Sequence, residues 1–177
     1  TRAIRRAADR RGGLDPRDGL LHVSRALVLG VLIGVAMIAL AAPILSLSVQ
    51  LLAPDAGVES ALADYFHWRI WAAPFSLINY ALLGWFYGRA AARTGMMLQL
   101  LLHLIDIALS IWFVHGLGWG VAGAAFGTVI GQGIAALVGL TILVRHYGGL
   151  GALLARIAPG ELGDAAAIRK MFGLSRD

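Results

Sequence analysis

Four polar side chains punctuate one otherwise apolar stretch: Gln99, His103, Asp106 and Ser110 interrupt a run of leucine, isoleucine and methionine between Met96 and Val114. Their spacing is i, i+4, i+7 and i+11. At about 100° per residue this places all four within roughly 60° of one another on a helix. A charged or amide side chain in hydrocarbon costs a few kcal/mol, so such groups face a helix bundle or a water-filled cavity. Asp106 is the carboxylate well inside this stretch. An apolar setting favours the neutral acid, which makes such a group fit to take up and release a proton. His103, one turn earlier, is placed to share or relay that proton. The competing reading is structural: His103 and Asp106 hydrogen-bond one another and hold helices together.

Two further sets of polar residues lie in apolar runs. Ser76, Asn79 and Tyr80, with Leu83 and Tyr87, share one face by the same arithmetic, and Thr128 and Gln132 form a pair at i, i+4. Cavity lining and interhelical hydrogen bonding are both consistent with these sets. Gly123, Gly127, Gly131, Ala135 and Gly139 recur every four residues, a spacing that lets helix backbones approach closely. Gly30 with Gly34, and Gly84 with Gly88, repeat that interval.

The elements that must carry these residues follow from composition. Of 177 residues 59% are hydrophobic and 14% charged, with a mean hydropathy of +0.76. Soluble domains are about half apolar and about a quarter charged. An apolar run of about 20 residues spans a bilayer as a helix. Four such runs are present, at about 26–50, 68–88, 96–114 and 121–144, and the expected fold is an all-α integral membrane protein, a four-transmembrane-helix antiparallel bundle. Aromatic residues bracket the second run: Tyr65, Phe66, Trp68 and Trp71 at one end, Trp85, Phe86 and Tyr87 at the other. Such rings favour the headgroup level.

Charge placement sets the expected topology. With both ends of the segment cytoplasmic, fourteen of the fifteen Lys and Arg lie inside and Arg69 alone outside, in accord with the positive-inside rule. Residues 1–25 then form a cytoplasmic basic segment, 26–145 the four spans and 146–177 a cytoplasmic connector. Within that connector Leu150–Ile157 reads as an interfacial stretch and Asp164 as a helix cap. The acidic loop from Ala53 to Asp64 and the HGLGWG turn (His115–Gly120) fall outside. Thr1 in place of a methionine is consistent with a piece of a longer polypeptide. The net charge of +5 reads as this topology signal and not as a nucleic-acid surface, because the basic N-terminal stretch has no interleaved aromatics for base stacking.

Enzyme chemistry finds little purchase. There is no nucleophile elbow, no glycine loop with a following lysine and no HExxH. The chain has no cysteine, and His103 with Asp106 falls short of the three or four ligands zinc takes, so neither a metal nor a cofactor is expected.

The runs YFHWRIWAAPFSLINYALLGWFYGRAAA and LLHLIDIALSIWFVHGLGWGVAGAAFGTVIGQ resemble the multidrug and toxic compound extrusion (MATE) family, in particular its DinF branch. That branch reads like NxxNxxLD in the third of these spans, followed by GxAGAAxAT. Here the two asparagine positions hold His103 and Asp106, the aspartate position holds Ser110, and Gly120–Thr128 matches the glycine-rich stretch. The resemblance implies that the chain covers about helices three to six of a twelve-helix, two-lobe transporter of the cell inner membrane. It implies antiport of small amphipathic organic cations against H+ or Na+, with Asp106, His103 and Ser110 as coupling candidates. Ser76, Asn79, Tyr80, Gln99, Thr128 and Gln132 are then cavity-lining candidates, and Gly123, Gly127, Gly131 and Gly139 packing positions. The implied partners are membrane lipid, the remaining helices and the transported organic molecules. Two departures stand out. The family's first helix, with its cation-site aspartate, is absent, and the third span's carboxylate sits one turn early. A lipid-linked oligosaccharide flippase of the same superfamily, or a non-transporting membrane scaffold, are the alternatives.

Overall fold

The computed structural model describes the backbone of residues 16–151 and the side chains from residue 19 onward. Every regular element among the described residues is helical. Helix α1 runs Pro16–Ala39, α2 Ala41–Leu52, α3 Ala56–Arg69, α4 Ala73–Gly88, α5 Ala92–Ile111 and α6 Gly120–His146. Three segments are long and apolar enough to cross a membrane: Gly19–Ala39, Ala92–Gly116 and Gly120–His146. The chain is a multi-pass membrane protein.

Two prolines revise the expected boundaries. The first run does not start at residue 26 or continue unbroken to 50. It begins within α1, so Arg25 lies inside a helix and is only 8% exposed, and the helix breaks at Leu40. Pro43 has no N–H to donate to the Ala39 carbonyl, and its ring crowds that position. The second run, expected over 68–88, is divided as well. Pro74 cannot donate to the carbonyl of Ile70, and that carbonyl accepts from the N–H of Ala73 instead. The result is a 3₁₀ turn over Ile70–Ala72 that joins α3 to α4. The two remaining long apolar segments run Ala92–Gly116 and Gly120–His146. The tight connection between them uses Gly118 and Gly120 at φ of 69° and 56°, a left-handed backbone that glycine adopts without steric cost. The Leu150–Ile157 stretch beyond residue 151, the Asp164 cap and most of the 146–177 connector lie outside the described residues, as do residues 1–15.

Close approaches define the packing. A Cβ added at Gly34 would lie 2.5 Å from the Pro74 Cα, and one at Gly30 would lie 3.2 Å from the Leu77 Cβ. Further along, Leu20 and Val23 join the same buried cluster as Trp85 and Phe86, so α1 runs antiparallel to α4. Gly95 at the start of α5 meets Phe86 and Tyr87 at the end of α4, which makes that pair antiparallel too. Helix α6 then lies against α3, α4 and α5. The core has Leu82, Trp85, Phe86, Leu98, Leu102, Ala135, Leu143 and Tyr147 at its centre. Outward faces carry Leu100, Leu104, Ile107 and Ile111 in the open, as a lipid-facing surface should.

Candidate functional site

The glycine repeat on α6 faces α5 along its length. A Cβ at Gly123 would meet Phe113 at 2.9 Å, one at Gly127 the backbone nitrogen of Ser110 at 3.0 Å, and one at Gly131 the Asp106 Cα at 3.4 Å. Gly139 closes the series, with Leu82 at 2.7 Å and Leu98 at 3.0 Å from its Cβ position. The sum of paired positions stays nearly constant, the signature of two antiparallel helices in register. Gly84 and Gly88 behave differently. Nothing lies within 4 Å of a Cβ at either, and both are exposed. Among the described residues, then, the repeat on α4 contacts no helix.

This seam sets the place of the polar stripe on α5. Gly95, Leu98 and Leu102 form the buried strip of that helix, and the polar residues run along its edge. Asp106 and Ser110 are half-buried, Gln99 is half-buried, and His103 is exposed. The Asp106 Oδ1 atom is buried and has no hydrogen-bond partner. His103 does not supply one: its Nε2 lies 3.1 Å from Gln99 Nε2, so the imidazole pairs one turn back along its own helix. A buried carboxylate oxygen without a donor costs the full desolvation of that atom unless a proton, a water or a cation reaches it.

A second polar focus joins α4 to α6. Asn79 is 4% exposed, and its Nδ2 donates to the Gln132 main-chain carbonyl at 3.0 Å and to Gln132 Oε1 at 2.7 Å. The main-chain carbonyl can only accept, which fixes the orientation of the amide. Asn79 Oδ1 is then left buried and without a partner. Its sequence neighbour Tyr80, turned about 100° away on the helix, is 67% exposed, so the face that carries both is split between interior and surface. Ser76 is half-buried. Thr128 donates its hydroxyl to the Ala124 carbonyl of its own helix at 3.1 Å, and Thr141, Ser46 and Ser48 bond back to their own helices in the same way. That is how a hydroxyl is satisfied where no water is at hand.

Aromatic clusters occupy the two ends. At one, Phe113 stacks on Trp119 with centroids 5.3 Å apart, and Phe126 stands edge-on to Trp68 at 5.1 Å and to Phe113 at 5.4 Å. At the other, Trp85 Nε1 donates to the Tyr147 hydroxyl at 3.4 Å, and the His146 ring lies 5.4 Å from Trp85. The sequence marks Trp68 and Trp85 as interfacial anchors, but their partners on α6 are set by tertiary packing. Among the described residues no three of His, Cys, Asp or Glu gather in a way that could hold a metal.

A multi-pass helical bundle, with unpaired polar groups buried against a glycine seam, has the general character of a transporter segment. Comparison with known proteins specifies it further. The chain is 30% identical over 169 residues to DNA damage-inducible protein F of Escherichia coli strain K12, an alignment that takes in 94% of this chain and 36% of that protein. The match bears out the resemblance to the MATE family and its DinF branch. The chain thus spans about a third of the length of the curated relative it matches. No protein-family model and no solved structure matches it.

Proposed function

We propose that this chain forms part of a cation-coupled secondary transporter that exports amphipathic organic cations, and that Asp106 is the carboxylate through which the coupling ion, H+ or Na+, acts. The observation that carries the reading is the buried, unpartnered Oδ1 of Asp106 beside Gly131, in a chain related to DinF. The family's aspartate position, Ser110, faces Gly127, and the carboxylate of this chain faces Gly131, one turn along the same seam. A one-turn displacement of about 5.4 Å moves the charge parallel to the seam and leaves it on the same side of α5. Ser110 then contributes a hydroxyl one turn away, and Gln99 hydrogen-bonds the His103 ring at the outer edge.

In this reading four stretches cross the membrane. Helix α4 lies antiparallel against α1 from Leu77 opposite Gly30 to Pro74 opposite Gly34. With its leading 3₁₀ turn it is about 30 Å long, enough for the hydrocarbon layer. Both ends of the described segment then lie on the cytoplasmic side of the inner membrane, and the remaining helices of a twelve-helix, two-lobe assembly supply the other wall of a cavity that alternates its access.

The test is Asp106→Asn in the complete transporter, assayed for gradient-driven efflux of a fluorescent organic cation from loaded vesicles. Loss of gradient dependence with protein still in the membrane is the expected result. Full, gradient-dependent transport by the variant would remove Asp106 from the coupling role. A labelling pattern with no wet position among residues 79, 103, 106 and 132 would favour a scaffold instead.

A further inference from the structure

The end of the bundle where α4 stops, α5 starts and α6 stops carries three arginines and a histidine that the transport reading does not use. Arg89 follows the last residue of α4, Arg93 lies in the first turn of α5, and Arg145 and His146 close α6. All four are exposed. Two of them, Arg89 and His146, meet on one ring system. The Arg89 guanidinium lies over Trp85, with its Cζ 5.3 Å from the ring centroid, and the His146 ring packs against the same tryptophan at 5.4 Å. Trp85 is itself 8% exposed and tied to Tyr147 by its indole N–H. Arg89 thus has a ring partner at this end of the bundle. A guanidinium over a ring face leaves N–H groups free on its other side, and an arginine fork suits a phosphate.

Among the described side chains, no carboxylate lies at this end. Between residues 19 and 151 the acidic residues are Asp55, Glu59, Asp64 and Asp106. The first three belong to α3 and the turn before it, and α3 meets α6 near that helix's opposite end through Trp68 and Phe126; Asp106 lies in the later half of α5, away from Arg93. The negative ends of the α4 and α6 dipoles favour cations here. That accounts for a positive charge at each terminus but not for the convergence of Arg89 and His146 on one tryptophan. Trp85, Tyr87 and Tyr147 also place this end at headgroup depth, where a phosphodiester is the abundant anion and basic pockets between helices bind acidic headgroups.

We propose that Arg89, over Trp85 at the end of the bundle that also carries Arg93 and Arg145, is a binding site for the headgroup of an anionic phospholipid such as phosphatidylglycerol. The site is independent of Asp106 and of any transport activity, and its test reads lipid association alone. The full-length protein is reconstituted in phosphatidylcholine vesicles, and electron spin resonance compares how strongly spin-labelled phosphatidylglycerol and spin-labelled phosphatidylcholine are immobilised at the protein. The wild type should prefer phosphatidylglycerol. Arg89→Gln and Arg145→Gln should each lower that preference about fivefold, the factor equivalent to about 1 kcal/mol per cation at a membrane surface. Arg69→Gln, near the opposite end, should leave it unchanged. Arg89→Lys keeps the charge and perturbs the fold least, yet it gives up the stacked fork and should also lose most of the preference. Full preference in Arg89→Lys, or an equal loss in Arg69→Gln, would reduce the effect to diffuse charge and overturn the site. Abolition of the preference by millimolar inorganic phosphate would assign the cluster to a free anion and overturn the lipid.

Discussion

The Asn79 amide shows how much one side chain can bind together in a bilayer. It reaches from α4 to both the main chain and the side chain of Gln132 on α6. Interhelical hydrogen bonds in this setting are worth about 0.6 kcal/mol on average, up to ~1.7. Asn79→Ala and Gln132→Leu should each destabilise the bundle by about that amount. Their double-mutant cycle should return a coupling of similar size, read from unfolding midpoints in mixed micelles. Additive losses would mean the two residues stabilise the bundle separately. The sequence made Asn79 and Gln132 legible as candidates because amides are rare and costly in such runs. It did not pair them, since nothing in a helical period says which neighbour a face meets. His103 illustrates the opposite outcome. Its i, i+3 spacing to Asp106 fits a shared proton, but the observed partner is Gln99, at i−4 on the same face.

At the scale of the helix, identical residue types at identical spacing have different consequences. Gly34 and Gly84 both sit in small-residue pairs four apart. A Cβ at Gly34 would press into the Pro74 backbone, and one at Gly84 would meet nothing. Gly34→Leu should therefore force α1 away from α4 and cost about 1–3 kcal/mol or more, the range for overpacked interiors, whereas Gly84→Leu should be near neutral in the same assay. Equal effects would show that Gly84 too is covered by a helix in the folded protein. The broken helices were the least legible elements for a related reason. Hydropathy reads the Ala26–Leu52 run as continuous, and it is the missing N–H of Pro43 that divides it. The 3₁₀ turn before Pro74 has the same origin. Pro74→Ala should restore a donor to the Ile70 carbonyl and extend regular helix through residues 70–72. The expected readout is slower amide exchange there, and unchanged exchange would place the cause of the turn in packing against Gly34.

At the scale of the whole molecule, composition settles the membrane, and the pairwise contacts settle the order in which the helices pass. Gly34 meets Pro74 and Gly30 meets Leu77, while Leu20 shares a buried cluster with Phe86, so α1 and α4 run alongside one another in opposite directions. If α1 crosses the bilayer, its neighbour at that length crosses with it, although α4 alone is shorter than the usual span. Four crossings return the chain to the side on which it started, and three would leave its ends on opposite sides. The charges distinguish these outcomes, because Arg89, Arg93 and Arg145 share one end while Asp55, Glu59 and Asp64 sit at the other. With no native cysteine, single cysteines can be read without background. A cysteine at position 93 or 145 should be shielded from an impermeant maleimide added to intact cells and should react after the membrane is opened, and a cysteine at position 59 should react from outside. The deciding position is 22, in the first turns of α1 where His22 is exposed. Reaction of that cysteine from the same side as position 145 fixes an even number of crossings between them and makes α4 a full span. Reaction of positions 59, 93 and 145 from one side and of position 22 from the other would mean that the stretch from Ala56 to Gly88 enters and leaves by one face, and the four-span arrangement would fall.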